Sequence, residues 1–384
     1  MNHKIISFLI TFISIIILIL VIYGNKNTIF KKFDPLFFEK KYFQSQWVIP
    51  QSKTPISDED LYAYAGYKYI KGENPILINP EAPPLGKYII GLSILLFQNY
   101  HLVAIFFALF SLFLIFIVTF QINRSYISSS LSVFITTINT IFLDQIIHSG
   151  QLEIYQLFFI LLFILFFSIY LNNKKILFFI FSGLSFGAFI SIKFFFYHYV
   201  LFNFWLIFFL FVFLQKKSFS LIKILKILLF LNLIALLIFI ATYFRFFTSG
   251  ANIRDFLGTQ KWIFLFYQQS KIDHLKIIGS YLGLIFFNKW RYWSEDYPFI
   301  KYENWSIIWP SVFIFGLLSL YKLKNKSEKL QIEGYFTFNL LFSFFIIYNF
   351  FLFFTPLYPR YLLLLFFPLN IFSGLYFEKL ICKK

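Results

Sequence analysis

Long apolar segments separated by polar connections run through most of the 384-residue chain. Because the hydrocarbon core of a bilayer is about 30 Å thick, a helix needs about 20 apolar residues to cross it. The pattern therefore predicts an all-α polytopic membrane protein with about ten transmembrane helices, folded as a single domain over residues 1–384. The predicted spans lie near residues 5–23, 102–122, 127–146, 153–171, 175–193, 196–214, 224–244, 305–322, 334–354 and 361–379.

The composition agrees with a membrane protein, since 59% of the residues are hydrophobic and only 13% are charged. A soluble domain has about 25% charged residues, so an ordinary soluble enzyme and a disordered chain are excluded. The single cysteine, Cys382, excludes an intramolecular disulfide framework and a cysteine-based zinc site. The first apolar segment is too long for a signal-peptide core and lacks a small-residue cleavage site, so we expect an uncleaved signal anchor.

The net charge of +17 is divided unequally between the two sides of the predicted membrane. With a cytoplasmic N-terminus, the short inner connections are rich in lysine and arginine, whereas the outer connections hold most of the acidic residues. Basic inner loops are the usual orientation signal of membrane proteins. We therefore expect a plasma (inner) membrane protein with both termini in the cytoplasm. The basic excess needs no nucleic-acid partner.

Two of the predicted outer connections are long, covering about residues 24–101 and about residues 245–304. Long connections in compact proteins are usually functional. Transporters and flippases place ionisable residues near the middle of their spans, and the predicted spans hold almost none there. The sequence therefore favours chemistry at the extracytoplasmic face, with a polytopic transporter or lipid flippase as the alternative.

The first outer connection contains a helix start followed by a turn. Ser57 or Asp58 is suited to cap a short helix, and acidic residues 58–60 are favoured in its first turn by the helix dipole. Taken alone, this segment reads as an amphipathic helix on the membrane surface, whose apolar face comprises Leu61, Tyr62, Ala65 and Tyr69. Further on, Pro83 and Pro84 cannot continue a helix, so they predict a rigid turn before the next one.

Three motifs follow one another in this connection: Asp58-Glu59, then Tyr69-Ile70-Lys71-Gly72-Glu73, then Pro83-Pro84-Leu85-Gly86-Lys87. Their order resembles the first luminal loop of protein O-mannosyltransferases. It is similar to that of the broader GT-C glycosyltransferases that use polyprenyl-phosphate sugars, including aminoarabinose transferases acting on lipid A. The mannosyltransferases have a histidine directly before the double proline, where this chain has Ala82 with Glu81 beside it.

Later segments resemble the same superfamily. Asp144 and Glu153 flank the start of the fourth span, where the family commonly has an acid after an arginine-containing motif that is missing here. Residues 183–187 with Lys193 resemble the family's small-residue helix that ends in a lysine. Arg360, with a tyrosine on its C-terminal side, resembles the Arg-Tyr that opens a late helix in these enzymes.

The resemblance implies an inverting hexosyl- or pentosyltransferase of GT-C type. It would move a sugar from a polyprenyl-phosphate donor to a protein, lipid or glycan acceptor at the extracytoplasmic face. By this analogy Asp58 is the base that takes the acceptor proton, and Glu59 orients the site. Lys193 and Arg360 hold the donor phosphate, although both also fit the pattern of cations that anchor helix ends at the interface. The loop is positioned by Pro83, Pro84 and Lys87.

Glu153 and Asp144 form a second acidic site in this analogy. A divalent metal is an open alternative, in which Asp58 acts with Glu153 or Asp144, because oxygen ligands suit Mg²⁺ or Mn²⁺. His101 and His148 stand alone in the sequence, whereas a metal site needs several convergent ligands, so we expect both to be structural or solvated. An inactive GT-C-like scaffold is a further alternative, because the histidine and arginine of the family motifs are replaced.

Overall fold

The computed structural model describes residues 3–148, 151–193, 195–214, 219–268, 275–291, 298–324 and 330–382. Within these ranges the regular secondary structure is helical, apart from one isolated antiparallel bridge between Trp290 and Ile300. The α-helices are α1 (His3–Gly24), α2 (Lys26–Ile29), α3 (Pro35–Phe43), α4 (Asp58–Ile70), α5 (Leu85–Phe97), α6 (Leu102–Asn123), α7 (Tyr126–Ile138), α8 (Thr140–Ile147), α9 (Glu153–Asn173), α10 (Ile176–Ile190), α11 (Phe195–Phe209), α12 (Leu221–Ala241), α13 (Phe244–Thr248), α14 (Ile253–Gln268), α15 (Ser280–Phe287), α16 (Ile308–Lys324), α17 (Ile332–Phe353) and α18 (Leu362–Ile381). The predicted all-α fold is confirmed.

The long apolar helices make this a multi-pass membrane protein. Among the described residues, seven helical segments are long and apolar enough to span a bilayer: α1, α6, α9, the segment Phe195–Leu214 that begins with α11, α12, α17 and the segment Pro359–Ile381 that contains α18. The bent pair of α7 and α8 adds an eighth if it counts as one span. Apolar helices lie at the other two predicted positions as well, but α10 has 15 residues and α16 has 17. A 15-residue helix is only about 22 Å long, so by length and apolar composition the described residues hold seven or eight candidate spans, where about ten were predicted.

Polar residues interrupt two of the predicted spans. The apolar run over 175–193 is not one helix, because the chain leaves α10 before Lys193 and that side chain turns to Glu153. The run over 127–146 breaks at Asn139, whose backbone is extended at φ −72° and ψ 117° and whose side chain caps α8. The two helices α7 and α8 are bent by 61° at this residue. Both breaks arise at polar residues within otherwise apolar sequence.

Packing in the bundle centres on the last helix. The helix α18 packs against α7 and α16, α10 packs against α9 and α12, and α17 packs against α9 and α11. Most side chains of α18 are buried, whereas most of those of α1 are exposed. Exposed apolar helices are expected in a protein surrounded by lipid, because the backbone is satisfied within each helix.

The connection between α1 and α6 folds into α2 to α5. The predicted helix start is present, because the Ser57 hydroxyl accepts a hydrogen bond from the Asp60 amide at 3.2 Å and α4 begins at Asp58. Its apolar side chains pack against α3 and α5 and are buried in the protein, instead of lying open on the membrane surface. The crossing of α4 and α5 is very close, since a Cβ atom on Gly91 would lie 2.3 Å from the Gly66 carbonyl oxygen.

The connection between α12 and α16 contains α13, α14 and α15. Helix α14 buries Phe256 and leaves the apolar side chains of Leu257 and Trp262 exposed. Near its end the Tyr267 hydroxyl donates to the Glu81 carbonyl oxygen at 3.4 Å. The two long connections therefore meet on the same side of the bundle.

Candidate active site

Four charged residues that are far apart in the sequence meet beside the double-proline turn. Lys193 Nζ donates to Glu153 Oε1 at 2.5 Å, and Arg360 Nε lies 3.3 Å from the same oxygen. Arg360 Nη2 in turn donates to Asp58 Oδ2. We call this chain of alternating charges the charge network, and its members in order are Asp58, Arg360, Glu153 and Lys193. The predicted base, both predicted phosphate ligands and one residue of the second acidic site are thus brought together.

Helix ends place these four side chains. Asp58 and Glu153 are the first residues of α4 and α9, where the helix dipole favours a negative charge. Arg360 lies in a 3₁₀ turn that begins with Pro359, directly before α18. Tyr348 of α17 holds this turn in place, because its hydroxyl donates a hydrogen bond to the Tyr361 carbonyl oxygen at 2.9 Å.

Aromatic rings surround the cations of the network. The Lys193 ammonium lies 5.1 Å from the centre of the Tyr361 ring, and the Arg360 guanidinium lies 4.6 Å from the centre of the Tyr358 ring. Such contacts stabilise cations that have lost water. The tyrosines that flank Arg360 in the sequence therefore form part of the wall of the site.

The charge network has one open end and one closed end. The side chain of Asp58 is 38% exposed and that of Arg360 is 11% exposed, whereas Glu153 and Lys193 are 2% and 1% exposed. Burial alone would raise the pKa of Asp58, but the charges of Arg360 and Lys193 outweigh burial and hold that pKa below its usual value. Asp58 is therefore an ionised carboxylate at neutral pH, at the end of the network that solvent reaches.

Glu59 faces a different group of side chains. Its two carboxylate oxygens lie 3.8 Å from His101 Nδ1 and 3.5 Å from His148 Nδ1. The other nitrogen of His148 lies 3.8 Å from Asp144 Oδ1, which accepts a hydrogen bond from Asn304 at 3.0 Å. The consecutive residues Asp58 and Glu59 of α4 therefore belong to different clusters. Asp58 belongs to the charge network, and the second cluster comprises Glu59, His101, Asp144 and His148. Glu59 and Asp144 were predicted as site residues, whereas their contact with the two histidines was missed.

The pKa values of the two histidines in this second cluster are shifted in opposite directions. Burial lowers the pKa of His101 to about 4, so its imidazole is neutral at pH 7. The hydrogen bond with Glu59 raises the pKa of His148, and its half-exposed ring favours the cationic form beside two carboxylates. Both histidines contact Glu59, which their positions in the sequence did not indicate. The spacing of Asp144 and His148, four residues apart at the end of one helix, was the available signal.

The double-proline turn is held by a buried lysine. Lys87 Nζ donates to the Asn79 carbonyl oxygen at 2.8 Å, to the Asn79 side-chain oxygen at 2.8 Å and to the Ala82 carbonyl oxygen at 2.7 Å. Pro83 and Pro84 are buried between these contacts and the start of α5. Three acceptors around one ammonium fix the backbone of residues 79–82. This geometry fits the loop-positioning role expected of Pro83, Pro84 and Lys87.

Glu81 is a carboxylate of the site that was not assigned a role from the sequence. Its side chain accepts a hydrogen bond from the Asn79 amide at 3.4 Å. Burial and the nearby negative charge of Asp58 raise its pKa. The site therefore lowers the pKa of Asp58 and raises the pKa of Glu81. A glutamate beside the position of the family histidine was the signal that could have found it.

An apolar cavity adjoins Glu81. It is lined by Phe195, Phe196, Tyr197, Gln260, Ile263, Phe264 and Tyr267, which belong to the start of α11 and to α14. Because the Tyr267 hydroxyl bonds to the Glu81 carbonyl oxygen, the cavity adjoins the turn that carries Glu81. Its volume is about 50 Å³, well below the roughly 300–1,000 Å³ of ligand pockets.

A divalent metal does not fit the predicted Asp58 and Glu153 pair. The nearest oxygens of both carboxylates are already met by Arg360, and Glu153 is also met by Lys193. Within the described part of the chain, no group of three or more histidine, cysteine, aspartate or glutamate side chains is arranged to hold a metal ion. Side-chain cations take the place that a metal would occupy between these acids.

Comparison with known proteins shows the fold. No family model and no curated protein matches the sequence. Among solved structures, the chain is similar to ArnT from Cupriavidus metallidurans, crystallised with undecaprenyl phosphate bound, at a TM-score of 0.59 and 11% sequence identity. The match covers 97% of this chain, which spans 60% of the length of ArnT. The chain therefore has the same fold as ArnT over most of its own length.

Proposed function

We propose that this protein is a membrane glycosyltransferase of GT-C type that moves a sugar from a polyprenyl phosphate to a hydroxyl acceptor. The observation that carries the proposal is the charge network, in a fold shared with ArnT. The crystal structure of ArnT contains undecaprenyl phosphate, and the cations of the charge network suit the phosphate of such a ligand. The reaction is placed at the extracytoplasmic face of the plasma membrane, with both termini in the cytoplasm.

The donor phosphate is assigned to Arg360, assisted by Lys193. A guanidinium binds phosphate oxygens through two parallel hydrogen bonds. Arg360 Nε is buried and lies 3.3 Å from Glu153 Oε1, but the two atoms are not aligned for a hydrogen bond. Lys193 adds a second positive charge behind Arg360. Positioned cations of this kind stabilise the charge that develops on a departing phosphate, and removal of one donor typically lowers the rate about 10²–10³-fold.

Asp58 is assigned as the base. In the transfer, the acceptor oxygen forms a bond to the anomeric carbon while the bond from that carbon to the phosphate oxygen breaks. The electron pair of the broken bond leaves with the polyprenyl phosphate, and the acceptor proton passes to the Asp58 carboxylate. Asp58 is the most exposed member of the charge network, so it is the member that an incoming acceptor can reach. A positioned base usually contributes about 10²–10⁴-fold to the rate.

Glu59 is assigned an orienting role. It begins α4 together with Asp58, and its contacts with His101 and His148 tie this helix end to α6 and to the end of α8. Asn304, at the end of the second long connection, donates a hydrogen bond to Asp144, so the second cluster also contacts that connection. The second cluster therefore supports the end of α4 that carries the base.

The test is sugar transfer by the purified protein. The protein is incubated with a panel of undecaprenyl-phosphate sugars and membrane lipid extract as the source of acceptors, with and without EDTA. We expect transfer with at least one donor, and a loss of 10²-fold or more in Asp58→Asn. The matched control is Asp60→Asn, because Asp60 lies in the same helical turn but pairs with Lys41 at 2.8 Å.

Three outcomes would count against the proposal. Absence of transfer with every donor would reject the activity for this panel. Full transfer by Asp58→Asn would reject the assigned base. An equal loss in Asp60→Asn would show that any change in this helical turn disturbs the site, and the assignment of Asp58 would then fail.

A further inference from the structure

Arg360 already holds an acid in the position where the donor phosphate is proposed to bind. Its Nη2 atom donates to Asp58, and its Nε atom lies 3.3 Å from Glu153. A carboxylate and a phosphate both present oxygens that suit the fork of a guanidinium. A phosphate that binds this arginine must therefore compete with one of the two carboxylates.

The two ends of the charge network differ in how readily they can be displaced. Glu153 is held by both cations and is 2% exposed, so moving it would leave a buried charge without compensation. Asp58 contacts Arg360 from the solvent side and is 38% exposed. Its carboxylate can turn to water without moving the backbone of α4, because a change of side-chain rotamer is sufficient. Asp58 is thus the exchangeable partner.

We propose that Asp58 occupies the phosphate position on Arg360 in the donor-free protein, and that the donor phosphate displaces it and so releases the carboxylate for the acceptor. This inference rests on the proposed function, because it assigns an order to the two substrates of the same site. The donor binds first, and its phosphate takes over the hydrogen bond that Asp58 gives up. The acceptor then meets a carboxylate that no longer pairs with Arg360.

The pKa of the Asp58 carboxyl agrees with an order in which the donor binds before the acceptor. While Asp58 pairs with Arg360, the pKa of its carboxyl is held below the usual value, which makes it a weak proton acceptor. Removing the arginine from the carboxylate takes away both the charge and the hydrogen bond by which Arg360 lowers that pKa, and leaves burial, which raises it, opposed only by the charge of Lys193. Donor binding would therefore strengthen the base at the moment it is needed.

The test measures the dissociation constant of undecaprenyl phosphate on the full-length protein. If Asp58 competes with phosphate, Asp58→Asn binds undecaprenyl phosphate about tenfold more tightly than the unchanged protein. Asp58→Ser serves as a second variant that also removes the carboxylate, in case one of the two folds poorly. Asp60→Asn removes the same charge from the same helical turn, so it controls for general electrostatic attraction.

A double-variant comparison separates competition on Arg360 from a general charge effect. In Arg360→Ala, the change of Asp58 to Asn should no longer tighten binding, because the competed hydrogen bond is gone. The inference is overturned if both Asp58 variants bind undecaprenyl phosphate with unchanged or weaker affinity. It is also overturned if tightening persists without Arg360 or appears equally in Asp60→Asn. If no protein in the set binds undecaprenyl phosphate, the proposed function itself fails.

Discussion

The closed end of the charge network allows a quantitative prediction about stability. Lys193 and Glu153 are 1% and 2% exposed, and their nitrogen and oxygen atoms are 2.5 Å apart. Removing one partner of a buried ion pair usually costs about 3–5 kcal/mol, because the other charge stays buried. Arg360 Nε remains 3.3 Å from Glu153. We therefore expect Lys193→Met to fall at the lower limit, about 3 kcal/mol of unfolding free energy.

The matched measurements are made on four variants in dodecyl maltoside micelles, with unfolding driven by SDS and followed by circular dichroism. Glu153→Gln should be destabilised in a similar way, whereas the double variant Lys193→Met/Glu153→Gln should lose clearly less than the sum of the two. Lys226→Met, at an exposed position of α12, controls for the loss of a lysine and should change stability by no more than about 0.5 kcal/mol. A Lys193→Met variant as stable as this control would refute the reasoning, and so would strict additivity in the double variant.

Three further predictions concern other parts of the molecule. Gly91→Ala should lower the unfolding free energy by about 1–3 kcal/mol, since the new methyl group meets the backbone of α4; a neutral effect in the same SDS titration would contradict this. His148→Gln should destabilise the protein below pH 6.5, and the difference should vanish as the pH rises through the raised pKa of His148; a difference in melting temperature that is constant with pH would exclude this. A reporter inserted after Asn173 should be cytoplasmic and one after Thr54 external, and the reverse would overturn the orientation.

The helices could be predicted from the sequence because length and apolar character decide whether a segment can cross a bilayer. Their interruptions could not. Asn139 bends a span because its side chain caps α8, and Lys193 ends a helical run because it pairs with Glu153. Both effects depend on where a polar side chain finds its partner, which hydropathy does not record. The close crossing at Gly66 and Gly91 was missed for the same reason, since it depends on how two helices pack.

The residues of the site could be predicted from the sequence, but most of the contacts between them could not. The resemblance pointed to Asp58, Glu153, Lys193 and Arg360, and all four meet in the structure. The resemblance did not indicate that Arg360 pairs with Asp58, because these residues are separated by 302 positions. It also placed Glu59 beside Asp58 in function, whereas consecutive residues of a helix point in different directions and Glu59 meets His101 and His148.

The spread of the charge network along the chain has a consequence for biosynthesis. Asp58, Glu153 and Lys193 are synthesised well before Arg360, which precedes only the last described helix, α18. The closed pair of Glu153 and Lys193 can form as soon as α9 and α10 are inserted. The arginine that joins this pair to Asp58 arrives last, together with the helix that fills the centre of the bundle. Completion of the site and completion of the core are therefore one event, and a chain that stops before Arg360 would have neither.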